Sequence, residues 1–331
     1  MPYDARALAM GGSEIAFCRS SFCNYANPAG LGFARSSQIE ISALDGSIDG
    51  VAHLSDDAIK QVHEEAFVAG LIPIGESTEQ SNGPKYGVVG LGLSRYKGET
   101  DDPINTTPDG HRRTLSYGLA VGEQTALGYS LSFIDDQLRS DLADLHSHSR
   151  FSHLFGIQTR TAENWELGAI FQLGIGQSDT EDFQFKSNGL THLKQYTPTL
   201  AVKKYFEKFF ISASFDRTIL RSEGNLTAQQ RMVVIGGDER GSVSNVRLGS
   251  QITAFEGFFI RAGYRYVYGN YQFLRPDLTN LSGNLRGSAI SAGLGADLGS
   301  ILKNALLEYG AEYQPFGAGE WLHTLSMSYV F

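Results

Sequence analysis

The sequence lacks any apolar run approaching the ~18 residues of a membrane-spanning helix, which excludes a helical membrane protein. A transmembrane barrel is not excluded, because its strands alternate and average to polar. A basic excess is also missing. The net charge is −9 and no cationic stripe is present to release counterions, so nucleic acid is not expected as a partner. The opening MPYDARALAMGG lacks the apolar core of a secretory leader after a basic start, so an exported protein would be present here in mature or truncated form. Signatures of common enzymes are lacking too. GVVGLGLS has closely spaced glycines, but not at dinucleotide-binding spacing, and no helical pattern follows. No serine has the G-x-S-x-G context, and scattered Ser, His and Asp point to no catalytic set, so no enzyme is expected. His146, His148 and His153 lie close together in LHSHSRFSH, but no further ligand at a recognised spacing joins them. A solvated loop is expected there, with no metal and no cofactor.

Cysteine, tryptophan and proline are scarce, at 2, 2 and 9, whereas Gly, Phe and Tyr are plentiful at 38, 20 and 15. That balance is not that of a helical enzyme. From about residue 84 onward the chain alternates. WELGAIFQLGIG places Trp165, Leu167, Ala169, Phe171, Leu173 and Ile175 on one face and Glu166, Ile170, Gln172 and glycines on the other. GFFIRAGYRYVYG sets Ile260, Ala262, Tyr264 and Tyr266 against Phe259, Arg261 and Arg265, and NALLEYGAEYQP sets Leu307, Tyr309 and Tyr313 against Leu306, Glu308, Glu312 and Gln314. Period two with one apolar face is a half-buried strand. These segments run ~10–13 residues against the ~5–6 of ordinary sheets, and a tilted bilayer-spanning strand needs ~9–11.

Counting back from the C-terminus predicts strands near 319–331, 303–315, 284–298, 257–269, 243–255, 208–219, 194–205, 165–176, 150–162, 126–135, 113–122 and 84–95. FVAGLIPI and SQIEISAL add two weaker ones. The fold class expected is therefore all-β, a 14-stranded antiparallel transmembrane barrel, the even count placing both termini on one rim. Short turns near 123–125, 162–164, 206–207, 256 and 299–302 alternate with long polar connections near 96–112, 136–149, 177–193, 220–242 and 270–283, with MVVIGG (232–237) as a further loop strand. Two connections read as short helices: Leu138, Leu142 and Leu145 in one, and Ser55 as N-cap to Ile59, Val62 and Ala66 in the other. The last strand ends on Tyr329 and Phe331, which looks like the signal read by barrel-insertion machinery and suits an aromatic girdle in outer-membrane lipid; the bland reading is a soluble sheet edge.

Residues 1–36 lack this alternation. Arg6, Ala7, Met10, Gly11 and Gly12, followed by Asn27, Pro28, Ala29, Gly30 and Leu31, form a pattern of the type R-A-x-x-M-G-G … N-P-A-G-L. This resembles the start of the FadL/PorV superfamily of bacterial outer-membrane barrels. The resemblance implies a small N-terminal plug, or hatch, over 1–36 inside a barrel over 37–331. A capped loop leading into the first strand is the simpler alternative. The chain departs from the family in CRSSFC: Cys18 and Cys23 either pair in an oxidising compartment or stay as buried thiols. It is also shorter than the family's fatty-acid transporters.

By that resemblance, Gly87, Gly90 and Gly92 are candidates for a strand bend opening a lateral gap to lipid. Glu166, Gln172, Arg261, Arg265, Glu308 and Glu312 fall on the expected lumen face, where Arg261 and Arg265 can pair with Glu308 and Glu312; such pairs either fill the interior or select solutes. Inward Ile170, Phe259, Leu306 and Leu322 are mixed among these charges. The family implies two functions. One is a FadL-like passive channel for small hydrophobic ligands such as fatty acids. The other is a PorV/PorQ-like docking or assembly partner in type IX protein secretion, for which Phe183, Phe185, Tyr271, Phe273 and Leu274 would offer an apolar loop surface.

Overall fold

A computed structural model of the chain describes residues 4–49, 60–76, 83–100, 107–139, 144–180, 189–224, 240–274, 280–299, 302–314 and 320–331. Fourteen strands follow a short helix α1 (Ala5–Ala9) and two 3-10 turns, Ser21–Asn24 and Pro28–Phe33. They are β1 (Gln38–Asp49), β2 (Lys60–Pro73), β3 (Val88–Thr100), β4 (Thr107–Ala120), β5 (Thr125–Arg139), β6 (Asp144–Arg160), β7 (Trp165–Thr180), β8 (Gly189–Tyr205), β9 (Phe209–Gly224), β10 (Arg240–Phe255), β11 (Phe258–Leu274), β12 (Asn280–Asp297), β13 (Ala305–Gln314) and β14 (Glu320–Val330). Each pairs antiparallel with its sequence neighbours, and β1 closes on β14, giving a barrel with no free edge.

Alternation decides which side chains face out. Along β7, Trp165, Leu167, Phe171 and Ile175 are exposed while Glu166, Gly168, Ile170 and Gln172 are buried. An outward apolar surface and an inward polar one are the inverse of a soluble sandwich and fit a barrel solvated by lipid. Aromatic pairs mark the rim that holds the termini: Phe206 stacks on Phe209 at 4.4 Å, Phe255 on Phe258 at 4.7 Å, and Tyr329 meets Phe331 edge-on at 4.9 Å. Here the Phe331 backbone N–H donates to the Ser37 carbonyl at 2.9 Å, tying the chain end to the start of β1.

The structure corrects several expectations. Residues 136–139 and 144–149 continue β5 and β6, so Leu138 and Leu145 lie on strands; Leu142 lies outside the described residues. Residues 60–67 belong to β2, which removes the helix proposed through Val62 and Ala66; Ser55 and Ile59 lie outside the described residues. His146, His148 and His153 are on β6, not in a loop. Tyr271, Phe273 and Leu274 end β11, while Phe183, Phe185 and the MVVIGG segment lie outside the described residues. One cause accounts for these differences. Where a hairpin rises past the lipid, both faces meet water and the period-two apolar signal disappears, although the backbone ladder continues.

Candidate functional site

The N-terminal segment runs through the barrel and touches residues on every strand. Asp4 caps α1 by accepting from the Ala7 N–H at 2.5 Å. The helix lies along β11–β14, where the Ala5 N–H donates to Ser326 Oγ at 2.8 Å and Ser291 Oγ donates to the Ala9 carbonyl at 3.1 Å. Gly11 and Gly12 follow with φ of 61° and 77°, the left-handed turn that redirects the chain toward β9 and β10. There Ser13 and Ser212 share a hydrogen bond at 2.6 Å. Farther on, Asn27 caps the second 3-10 turn: its Oδ1 accepts from the Ala29 N–H at 3.1 Å, and its Nδ2 donates to the Ala16 and Ile157 carbonyls at 2.9 and 3.2 Å. Pro28, Ala29, Gly30 and Leu31 are all buried. Cys18 and Cys23 form a disulfide with a Cα–Cα separation of 5.2 Å.

Two rows of inward glycines receive this segment. Gly118, Gly128 and Gly156 are successive cross-strand partners on β4, β5 and β6. A Cβ at Gly128 would overlap Pro28 and Ala29, and one at Gly156 would overlap Asn27 Oδ1. On the opposite wall, Gly249 pairs with Gly263 and Gly293 with Gly310; Cβ atoms there would overlap Ser13, Gly11, Ala9 and Ala5 in turn. Gly90 and Gly92 do the same work for the first 3-10 turn. A Cβ at Gly90 would strike Asn24, and one at Gly92 would lie 2.5 Å from the Tyr25 hydroxyl. No lateral gap opens at these two glycines: β3 keeps an unbroken register with β2 and β4, and Gly87, with φ of 79°, lies just before the strand.

Charges tie the segment to the wall. Glu166 is fully buried and accepts from Gln158 Nε2 and the Tyr205 hydroxyl, both at 2.6 Å, from Arg19 Nη2 at 3.1 Å and from Arg160 Nε at 3.2 Å. Lys203, 1% exposed, pairs with Glu14 and lies 3.9 Å from Glu166, its ammonium over the rings of Phe17, Tyr205 and Phe210. Glu14 also binds Arg6 Nε at 2.5 Å. Burial alone would raise the Glu14 carboxyl, but Arg6 and Lys203 outweigh it and hold it at about 2. Asp4 goes the other way: burial, then the charge of Glu308, push it up to about 7. Arg261 Nη2 donates to Glu308 at 2.6 Å, and Arg265 pairs with Glu312. Gln172 Nε2 donates to Ser152 Oγ at 2.9 Å.

A cavity of about 160 Å³ lies beside the segment, its lining including Asp4, Arg6, Glu14, Glu40 and Glu308. Phe22, Tyr25 and Phe67 pack on one another at 5.5–6.4 Å beside it, and the Tyr25 hydroxyl has no hydrogen-bond partner among the described residues. Among the described residues no group of His, Cys, Asp and Glu is placed to hold a metal. His153 instead shares a hydrogen bond with the Tyr129 hydroxyl at 2.8 Å. Sequence reasoning missed Glu14, Arg19, Lys203 and the glycine rows. The signal available was an inward Lys203 on β8, a cation on a lumen face that demands a partner.

A closed 14-stranded barrel with an apolar outer surface, aromatic pairs at its rim and no membrane-spanning helix among the described residues is a bacterial outer-membrane protein. Its fold is that of the FadL-type channels. Over 99% of this chain and 98% of theirs, it superposes on the P. putida toluene transporter TodX (TM-score 0.63, 13% identity) and on a Pseudomonas aeruginosa FadL homologue (0.64, 11%). The monoaromatic hydrocarbon channel CymD matches with TM-score 0.61 and 12% identity, over 99% of this chain and 97% of that one. No family model matches the sequence, and no curated protein matches it.

Proposed function

We propose that the chain is a passive outer-membrane channel for small hydrophobic molecules, with residues 1–36 as its plug and residues 37–331 as its barrel. The observation that carries this reading is the N-terminal segment seated on every strand of a barrel that superposes on hydrocarbon channels over nearly their whole length. A cross-section filled in this way does not suit a general water-filled porin. It does suit solutes that partition, since apolar molecules gain free energy on leaving water and need no coupled energy source. Glu166 and the glycine rows hold the plug closed, so passage requires the segment to shift.

The test is uptake of ¹⁴C-toluene and ¹⁴C-oleate by cells expressing the barrel, against cells carrying it with an insertion-competent but plug-locked variant. Such a variant carries a second disulfide between Ser13→Cys and Ser212→Cys, whose hydroxyls already meet at 2.6 Å. Wild type should take up at least one substrate about 5-fold faster than the locked form, and reductant should restore the locked form. Equal uptake of both substrates, with and without the lock, refutes the channel and leaves the secretion-partner reading, to be pursued by co-purification from the native membrane.

A further inference from the structure

The lipid-facing wall carries a cation in an otherwise apolar row. Ile41, Val68, Leu93, Arg113, Phe133 and Phe151 are successive cross-strand partners over β1–β6, so their side chains share the outer face. Ile41, Val68, Leu93 and Phe151 are 55%, 43%, 61% and 50% exposed, as befits residues solvated by lipid. Arg113 is exposed among them and makes no hydrogen bond or ion pair among the described residues. One step farther from the terminal rim, Arg95 pairs across to His111. Arg95 is engaged by Asp109 at 3.0 Å, and His111 has Asp135 as its cross-strand partner on β5. A hollow of about 370 Å³ lies here, its lining including Ile41, Val68, Leu93, Arg95, His111 and Arg113 and reaching the buried Phe67 and Ser94.

The outward apolar row is shorter on β3 than on β7. β3 shows Val89, Leu91 and Leu93 outward before reaching Arg95, whereas β7 continues from Trp165 to Ile175. A guanidinium held at that depth without a protein partner is poorly solvated and needs an anion. Its planar fork matches phosphate oxygens in bidentate fashion. We propose that this hollow binds the phosphate-bearing head group of an outer-leaflet lipid, the phosphate on Arg113 with Arg95 beside it and an acyl chain along Leu93, Val68 and Ile41. The apolar floor favours a lipid over a free anion, and the wall here faces the bilayer. The proposal rests on the outward face alone and is independent of what crosses the lumen.

The experiment is native mass spectrometry of the full barrel in detergent micelles, titrated with a bisphosphorylated glycolipid (lipid A), its dephosphorylated form, or inorganic phosphate. Wild type should retain one lipid A and hold the dephosphorylated form about 10-fold more weakly. Arg113→Leu should lose about 10-fold in lipid A retention, Arg113→Lys about 3-fold, and Arg95→Gln about 2-fold because Asp109 already occupies that side chain. Leucine completes an apolar row, so the variant barrel is expected to close normally; if it does not, Arg113→Gln takes its place. Equal retention by wild type and the Arg113 variant, equal retention of the dephosphorylated lipid, or full displacement by millimolar inorganic phosphate would each overturn the proposal.

Discussion

Replacing Glu166 with Gln should loosen the N-terminal segment without opening the barrel wall. The carboxylate is fully buried and has four hydrogen-bond donors, with Lys203 close by. Removing one partner from a buried ion pair costs about 3–5 kcal/mol. Three features reduce that here. The side chains of Arg19 and Arg160 are 44% and 32% exposed, so water takes over much of their share. Lys203 keeps Glu14. The amide still accepts from Tyr205 or Gln158. A net loss of about 2–3 kcal/mol in docking the segment remains, and at 1.36 kcal/mol per tenfold this is about 30–150-fold faster local opening. Amide hydrogen exchange on the intact barrel reads that directly, because local opening is sampled segment by segment. The acceleration should be confined to residues 13–20, which carry Glu14 and Arg19. A change below about 3-fold there would refute the view of Glu166 as the anchor. So would equal acceleration through β7 and β8, which would mean that the wall and not the segment had been weakened.

Gly128→Val should drive Pro28 and Ala29 off the β5 backbone, and planar-bilayer recordings should then show ion conductance where wild type is closed; a silent variant would count against a plug. Because Asp4 is raised from 3.8 to about 7, the folded segment holds a proton that the undocked one releases. Asp4's contribution to docking should be fully present below about pH 4 and be lost as pH rises through 7, and Asp4→Asn should remove that part of the profile while keeping the helix cap. Glu14 acts with the opposite sign: its contribution is present above about 4.5 and lost as pH falls toward 2, so Glu14→Gln should weaken docking at neutral pH and leave it little changed below pH 2. Reducing the Cys18–Cys23 bond should cost about 2 kcal/mol for so short a loop and speed exchange only around it; no change on adding reductant would mean the bond adds nothing to docking.

What could be read from the sequence was whatever the bilayer imposes. Lipid on one side and a packed lumen on the other force strict alternation, so strands such as 165–176 stood out with their inward Glu166 and Gln172. The pairs Arg261–Glu308 and Arg265–Glu312 were legible because a buried charge demands a partner and both strands had a readable phase. Strand ends were not legible, since past the membrane no face is apolar. Nor was the role of the glycines, and the reason is one of dimension. Gly118, Gly128 and Gly156 are far apart in the chain and become a shelf only when three strands are brought into register.

Gly90 and Gly92 illustrate the consequence. Read along the chain, closely spaced glycines in a strand signal a bend, and the resemblance to FadL-type barrels makes that bend a candidate opening. Read across the barrel, the same two positions lie in an unbroken ladder and leave room for Asn24 and Tyr25. The two readings predict opposite results for Gly90→Val. A bent, open strand would be straightened and the passage shut. A floor under Asn24 would instead be raised, pushing the first 3-10 turn into the lumen and breaking the Asn24 Nδ2 bonds to the Gly70 and Leu91 carbonyls, both 3.2 Å. The packing of Asn24 against Gly90 favours the second, so this substitution should increase leakage if the segment is a plug, and unchanged or reduced leakage would refute that reading.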